Sequence, residues 1–286
     1  MLRYAALPTP YSWILLLIMF VGGSHCRNNQ TSTSVLQYNY GTSSDSARYY
    51  FQIGWQEIMD YGRWTESEAA FRKAVTFDPD WLLGMSMIGR ITQNTQERQT
   101  ILHQLTSRLD EADPDERLLL EVNIQSHQAA INRDFGIRND SNFMEMRFRT
   151  AETHLGAFAR KYPIDNYFKA EYLEVIHHNH GPQAALDTLQ AWSTSAQKKL
   201  GFYIGFAASL HLELDQLNEA KNLWLTLLEA APNPTHLSPL VLEAQILIHQ
   251  QKLDEGKTIL DRVVQMDSNH LIARSMRDQL ITSISH

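Results

Sequence analysis

The chain has 286 residues and a formal net charge of −7, and its 13 glycines and 9 prolines make up about 8% of it, where average usage would give roughly 12%. Such a deficit argues against a turn-dense β-sandwich or barrel, while 43% hydrophobic and 20% charged residues argue for a real core and against wholesale disorder. A single cysteine excludes a disulfide framework and a Cys-clustered metal site, and the acidic balance argues against a nucleic-acid partner.

Residues 1–25 carry one charge, Arg3, followed by the apolar run WILLLIMFV at 13–21 and then Gly22, Gly23 and Ser24. A positive start, an apolar centre and small residues at the exit predict a secretory signal peptide over 1–25. The run is too short for a bilayer span, which needs about 20 apolar residues. Cys26, the only cysteine, stands five residues past it. That placement resembles the lipoprotein signal class of bacteria, in which the cysteine is acylated and becomes the new N-terminus. The class has a small residue before the cysteine, where this chain has His25. Cleavage after Ser24, or a buried free thiol, are the alternatives. Residues 26–47 are rich in Ser, Thr, Asn and Gln without apolar periodicity, which predicts a flexible linker between anchor and domain.

From Arg48 onward apolar residues recur at helical spacing. Phe51, Trp55, Ile58 and Met59 form one stripe, and Ala70, Phe71, Ala74 and Val75 form another. Tyr61-Gly62-Arg63 between them is a short turn, so the pair predicts an αα-hairpin. The frame returns at Asp215-Gln216-Leu217 and at Gln251-Lys252-Leu253, and more weakly elsewhere. A small-residue place falls at Ser67, Ile101, Ala151, Ala185, Ala220 and Gly256, although Ile101 itself is large. The period is close to 34 except for one step that carries about 16 extra residues. This phasing resembles the tetratricopeptide repeat. The resemblance implies an all-α fold: a right-handed superhelix of about six stacked hairpins over 48–280, with a tail at 281–286. The long step predicts a lengthened helix from about Asp115 and an exposed loop at 133–141.

In tetratricopeptide proteins the first helices of successive repeats line a concave groove for a peptide or a partner's helix. The resemblance carries that role to Gln52, Gln56 and Asp60 in the first repeat and Arg90 in the second. In the fourth it falls on Tyr167, Glu174, His177 and His178. In the fifth it falls on Phe202, Ser209 and Leu212, and in the sixth on Gln245 and His249. The chaperone-binding branch clamps a terminal carboxylate with lysine and asparagine. Here those places read Gln52, Ala170, Gly205 and Val241, then Gln56, Glu174, Ser209 and Gln245. None matches, which argues against that branch.

His177-His178-Asn179-His180 is the sharpest polar cluster, but it sits at a turn before Gly181-Pro182 with no Cys or Asp at a ligand spacing. No nucleophile elbow, H-E-x-x-H, P-loop or strand-linked glycine fingerprint is present. The reading is a non-catalytic interaction scaffold without metal or cofactor. It is exported, tethered to a membrane of the bacterial envelope through Cys26, and engages a protein or peptide partner. The alternatives are an envelope-assembly lipoprotein and a metal-binding or enzymatic periplasmic protein using His177–His180.

Overall fold

In a computed structural model that describes residues 37–284, the chain is all-helical, with twelve α-helices and no strand among the described residues. The expected signal peptide, Cys26 and the first part of the linker lie outside the described residues. The first helices are α1 (Asp45–Met59), α2 (Trp64–Phe77), α3 (Leu82–Ile91) and α4 (Thr95–Arg108). Then come α5 (Pro114–Asp134), α6 (Ser141–Lys161) and α7 (Tyr167–Trp192). The last five are α8 (Gly201–Glu213), α9 (Leu217–Ala230), α10 (Ser238–His249), α11 (Leu253–Met266) and α12 (Leu271–Ile284).

The helix starts follow local chemistry. Ser44 caps α1 by accepting the Ala47 N–H at 3.2 Å, and Asp140 caps α6 by accepting that of Phe143 at 2.7 Å. Asp113 caps α5, whose first residue is Pro114; a proline there forfeits no helical hydrogen bond. α7 is broken at Gly181, whose φ of 85° and ψ of 176° leave the helix, so it too is a hairpin. The turns before α2, α9 and α11 share one device. The residue two places before each helix is left-handed: Gly62 (φ 70°), Asp215 (φ 58°) and Gln251 (φ 64°).

Consecutive helices pack on one another, and α3 also meets α5 and α8 meets α10. All six small-residue places are buried, and the Ser67 hydroxyl donates to the Gly54 carbonyl at 2.7 Å. A methyl on Gly54 would come within 2.6 Å of the Phe71 ring, and one on Gly256 within 2.8 Å of Ile248. One apolar cluster runs from Tyr38 through α8, a second joins α8, α9 and α10, and a third joins α10, α11 and α12. Fully buried members such as Phe51, Phe71 and Leu173 each contribute about 1.5–3 kcal/mol of hydrophobic stabilisation.

α5 and α6 are both 21 residues long, and Phe135 and Ile137 are exposed in the loop between them. Two expectations need correcting. The linker expected over 26–47 is not free where it is described. Tyr38, Tyr40 and Thr42 are buried. The Tyr38 hydroxyl donates to Asp113 at 2.8 Å, that of Tyr40 to Asp165 at 2.6 Å, and Thr42 bonds Asp78. Every second side chain there turns inward, a period of two that a search for helical spacing does not register. The tail expected at 281–286 is helical as far as Ile284.

The α1–α2 turn makes contacts across more than 100 residues of sequence. Asp60 accepts the Phe202 N–H at the start of α8 (2.9 Å) and the Tyr167 hydroxyl (3.1 Å). The Tyr61 carbonyl accepts the N–H groups of Leu237 (2.7 Å) and Ser238 (3.2 Å) where α10 begins. Asp267, ahead of α12, accepts the N–H groups of Trp64 (2.6 Å) and Thr65 (3.2 Å) and the Thr65 hydroxyl (2.7 Å). Helix starts expose unpaired N–H groups and a partial positive charge, and two buried aspartates neutralise them here. His236 stacks on Tyr61 at 3.8 Å between centroids.

Candidate partner-binding cleft

A cleft of about 570 Å³ opens between the hairpins, with walls supplied by α1, α2, α3, α5, α6, α7, α8, α9, α10 and α12. Of the residues expected to face a groove, Arg90, Glu174, His177, Phe202, Ser209 and Gln245 line it. Ile58, Met59, Ile91 and Phe206 supply apolar wall. Gln52, Gln56 and Tyr167 line a separate cavity of about 360 Å³ beside Tyr38 and Tyr49, on another face of α1.

Four expected residues line neither cavity. Asp60 is buried and holds the α8 start, as described; desolvation pushes its carboxyl above the ordinary range. Leu212 is a core residue, packed with Ile204, Ala208 and Leu242, which corrects its assignment to the groove. His178 stacks on Phe148 with centroids 3.4 Å apart, and His249 Nε2 lies 3.7 Å from Asp215.

The histidine cluster disperses in space. His177 Nε2 is 2.9 Å from Glu213, and His180 Nε2 is 2.8 Å from Glu152, which also accepts from Asn179 at 2.7 Å. Among the described residues, no three His, Cys, Asp or Glu side chains converge as metal ligands.

The charged lining is asymmetric in its pairing. Arg90 grips Glu171 through two contacts of 2.5 and 2.8 Å, and its guanidinium lies 5.8 Å from the Trp55 ring centre. Burial opposes the Arg90 charge, but the Glu171 pair outweighs it and holds the group above its ordinary range. Glu174 makes no hydrogen bond to a described residue. Glu174 is exposed at the cleft surface; crowding by the cleft walls, then the Glu171 charge, push its carboxyl above the ordinary range. Arg147 reaches in from α6. Burial, then the like charge of Arg90, push its guanidinium below the ordinary range.

Three buried N–H groups on lining residues have no partner among the described residues: Trp55 Nε1, Arg147 Nε and His270 Nε2. His270 Nδ1 accepts the Ala273 N–H at 3.2 Å, which puts the ring proton on Nε2. Trp55, Arg147 and His270 were absent from the sequence-based groove. Trp55 reads as plain stripe, Arg147 sits on the second helix of its hairpin, and His270 stands just before α12, beyond the expected repeats. No spacing rule points to any of them.

The chain matches no family model and no curated protein.

Proposed function

We propose that the protein is a non-catalytic interaction scaffold of the bacterial cell envelope: a right-handed superhelix of tetratricopeptide-type hairpins that takes a peptide or partner helix in its concave cleft. The observation that carries this reading is the burial of all six small-residue places, at steps of about one repeat except the long one from Ile101 to Ala151, between helices that pair in sequence order. One hairpin cannot bury its own apolar face, so stacked repeats explain why the same place is small or tightly enclosed each time. Clefts between helices, mostly apolar with a few convergent polar groups, are where such folds bind ligands. The layout of residues 1–25 supports export. Acylation of Cys26 would hold the scaffold at a membrane, since each buried methylene contributes about 0.8 kcal/mol.

The test is crosslinking in cells, with a photoreactive residue placed either at Phe206 in the cleft or at exposed Leu225 on α9. Defined adducts at Phe206 and none at Leu225 are expected. Equal labelling at both positions overturns the cleft as the binding face. Envelope fractionation of wild type and Cys26→Ala tests the anchor, which fails if the variant stays in the membrane fraction.

A further inference from the structure

We propose that the cleft selects peptides carrying an acidic side chain among apolar ones, with the guanidinium of Arg147 as the anchoring site; this rests on the peptide-binding reading above. Arg147 is a half-buried cation with no salt bridge among the described residues. A guanidinium carries five N–H donors, and this one makes a single hydrogen bond to a described residue, to Ser126 Oγ at 3.4 Å. Its other contact is with the Phe148 ring, 4.7 Å from the centroid. Glu171, whose charge acts on Arg147 from beyond salt-bridge distance, is taken in bidentate fashion by Arg90.

Elsewhere in the cleft lining, Trp55 Nε1 and His270 Nε2 are buried donors without a hydrogen-bond partner among the described residues. A donor left without an acceptor is costly, more so when it is charged. At Arg147 a ligand that brings oxygen acceptors relieves that cost, and a peptide brings them as backbone carbonyls and a side-chain carboxylate. A carboxylate matches the planar fork of a guanidinium in bidentate fashion. Ile58, Met59, Ile91 and Phe206 offer apolar surface to the flanking side chains. Glu174, the one lining carboxylate without a hydrogen bond to the described chain, is an acceptor for the peptide's own N–H groups.

The experiment selects phage-displayed random dodecapeptides on the immobilised full chain in detergent, and in parallel on Arg147→Glu and Arg147→Gln. Peptides enriched on wild type are expected to carry Asp or Glu flanked by apolar residues. That acidic bias should vanish on Arg147→Gln and turn basic on Arg147→Glu. The leading synthetic peptide should bind Arg147→Gln about tenfold or more weakly than wild type. Thermal melting of both variants checks folding, and either one that melts like wild type suffices for the comparison. Enriched peptides without acidic bias overturn the Arg147 anchor and leave the peptide-binding reading standing. An acidic bias that persists on both variants overturns the anchor as well. No enrichment in any arm overturns the peptide-binding reading, and the anchor with it.

Discussion

The turn between α1 and α2 and the turn between α10 and α11 have the same backbone and opposite surroundings. Each places a left-handed residue two positions before the next helix, Gly62 in one and Gln251 in the other. Gln251 is exposed, and its turn bonds only within its own hairpin. Gly62 is buried, and a methyl there would lie 2.9 Å from the Ser238 nitrogen and 3.0 Å from its hydroxyl. Around it, Asp60, Tyr61 and Asp267 bind the starts of α8, α10 and α2. One turn design therefore serves in one place as a plain connector and in another as a junction of helix starts far apart in sequence. The surroundings, not the turn geometry, decide how much each one contributes to stability.

The largest break in that comparison comes from removing Asp267. Its carboxylate is buried and accepts two backbone N–H groups and the Thr65 hydroxyl at the start of α2. Asp267→Ala leaves those donors without their acceptor. At roughly 1.5–3 kcal/mol for a hydrogen bond to a charged group, discounted for partial exposure, the expected loss is about 4 kcal/mol in denaturant unfolding. Asp254, in the first turn of α11 by the exposed connector, is the control, and Asp254→Ala should cost well under 1 kcal/mol. Equal losses for the two variants would mean that the junction is no more than surface contact.

Acid should weaken the junction through His270. Burial pushes this imidazole down to about 4, with Asp267 opposing the shift. Below the ordinary value near 6.5 the unfolded chain takes up a proton that the folded chain refuses. Stability therefore falls as pH drops from about 6.5 towards 4, by on the order of 3 kcal/mol. His127 is buried and also pushed down to about 4, so it adds a loss of the same sign. Glu116, buried and pushed up to about 7, acts oppositely, losing stability as pH rises from about 4.5 to 7. The informative quantity is thus the difference between wild type and His270→Asn, which keeps a capping acceptor for Ala273 and removes the titration. Urea midpoints measured from pH 7.5 to pH 4.5 should converge towards, or cross, those of the variant as pH falls. Parallel profiles would show that His270 does not titrate in this window.

Features with a local cause were legible in the sequence. The length of α5, the loop after it, the break at Gly181 and the burial of Ser67, Ala185 and Ala220 all follow from helical period, proline and glycine. The docking of Tyr38 and Tyr40 was not legible, because two alternating tyrosines in a polar stretch look like a tether until Asp113 and Asp165 are seen beneath them. Nor was the junction. It joins Thr65 to Asp267 across some 200 residues, and no periodicity reports such a contact. The cleft was half legible. Groove spacing reached Arg90, Glu174, His177 and Gln245, but it missed Trp55, Arg147 and His270. Spacing describes one face of one helix set, whereas a cleft takes its walls from every element that borders it.

The smallest expected effect is the sharpest on the turns themselves, because it reverses sign between two equivalent positions. A side chain at a left-handed residue costs roughly 1 kcal/mol relative to glycine. Gln251→Gly relieves that cost in an exposed turn, offset by the greater freedom of glycine in the unfolded chain. A net gain of about 0.5 kcal/mol is expected. Gly62→Ala imposes the same backbone cost and also drives a methyl against the start of α10, where Ser238 N–H bonds the Tyr61 carbonyl. Overpacking of that kind costs roughly 1–3 kcal/mol, for a total loss of about 2 kcal/mol. Chemical denaturation of the two single variants and the double variant measures both. Additive effects are expected, since the two turns share no partner. A loss at Gly62 no larger than the gain at Gln251 would mean that the turn can move away from Ser238, and that its hold on α10 is loose.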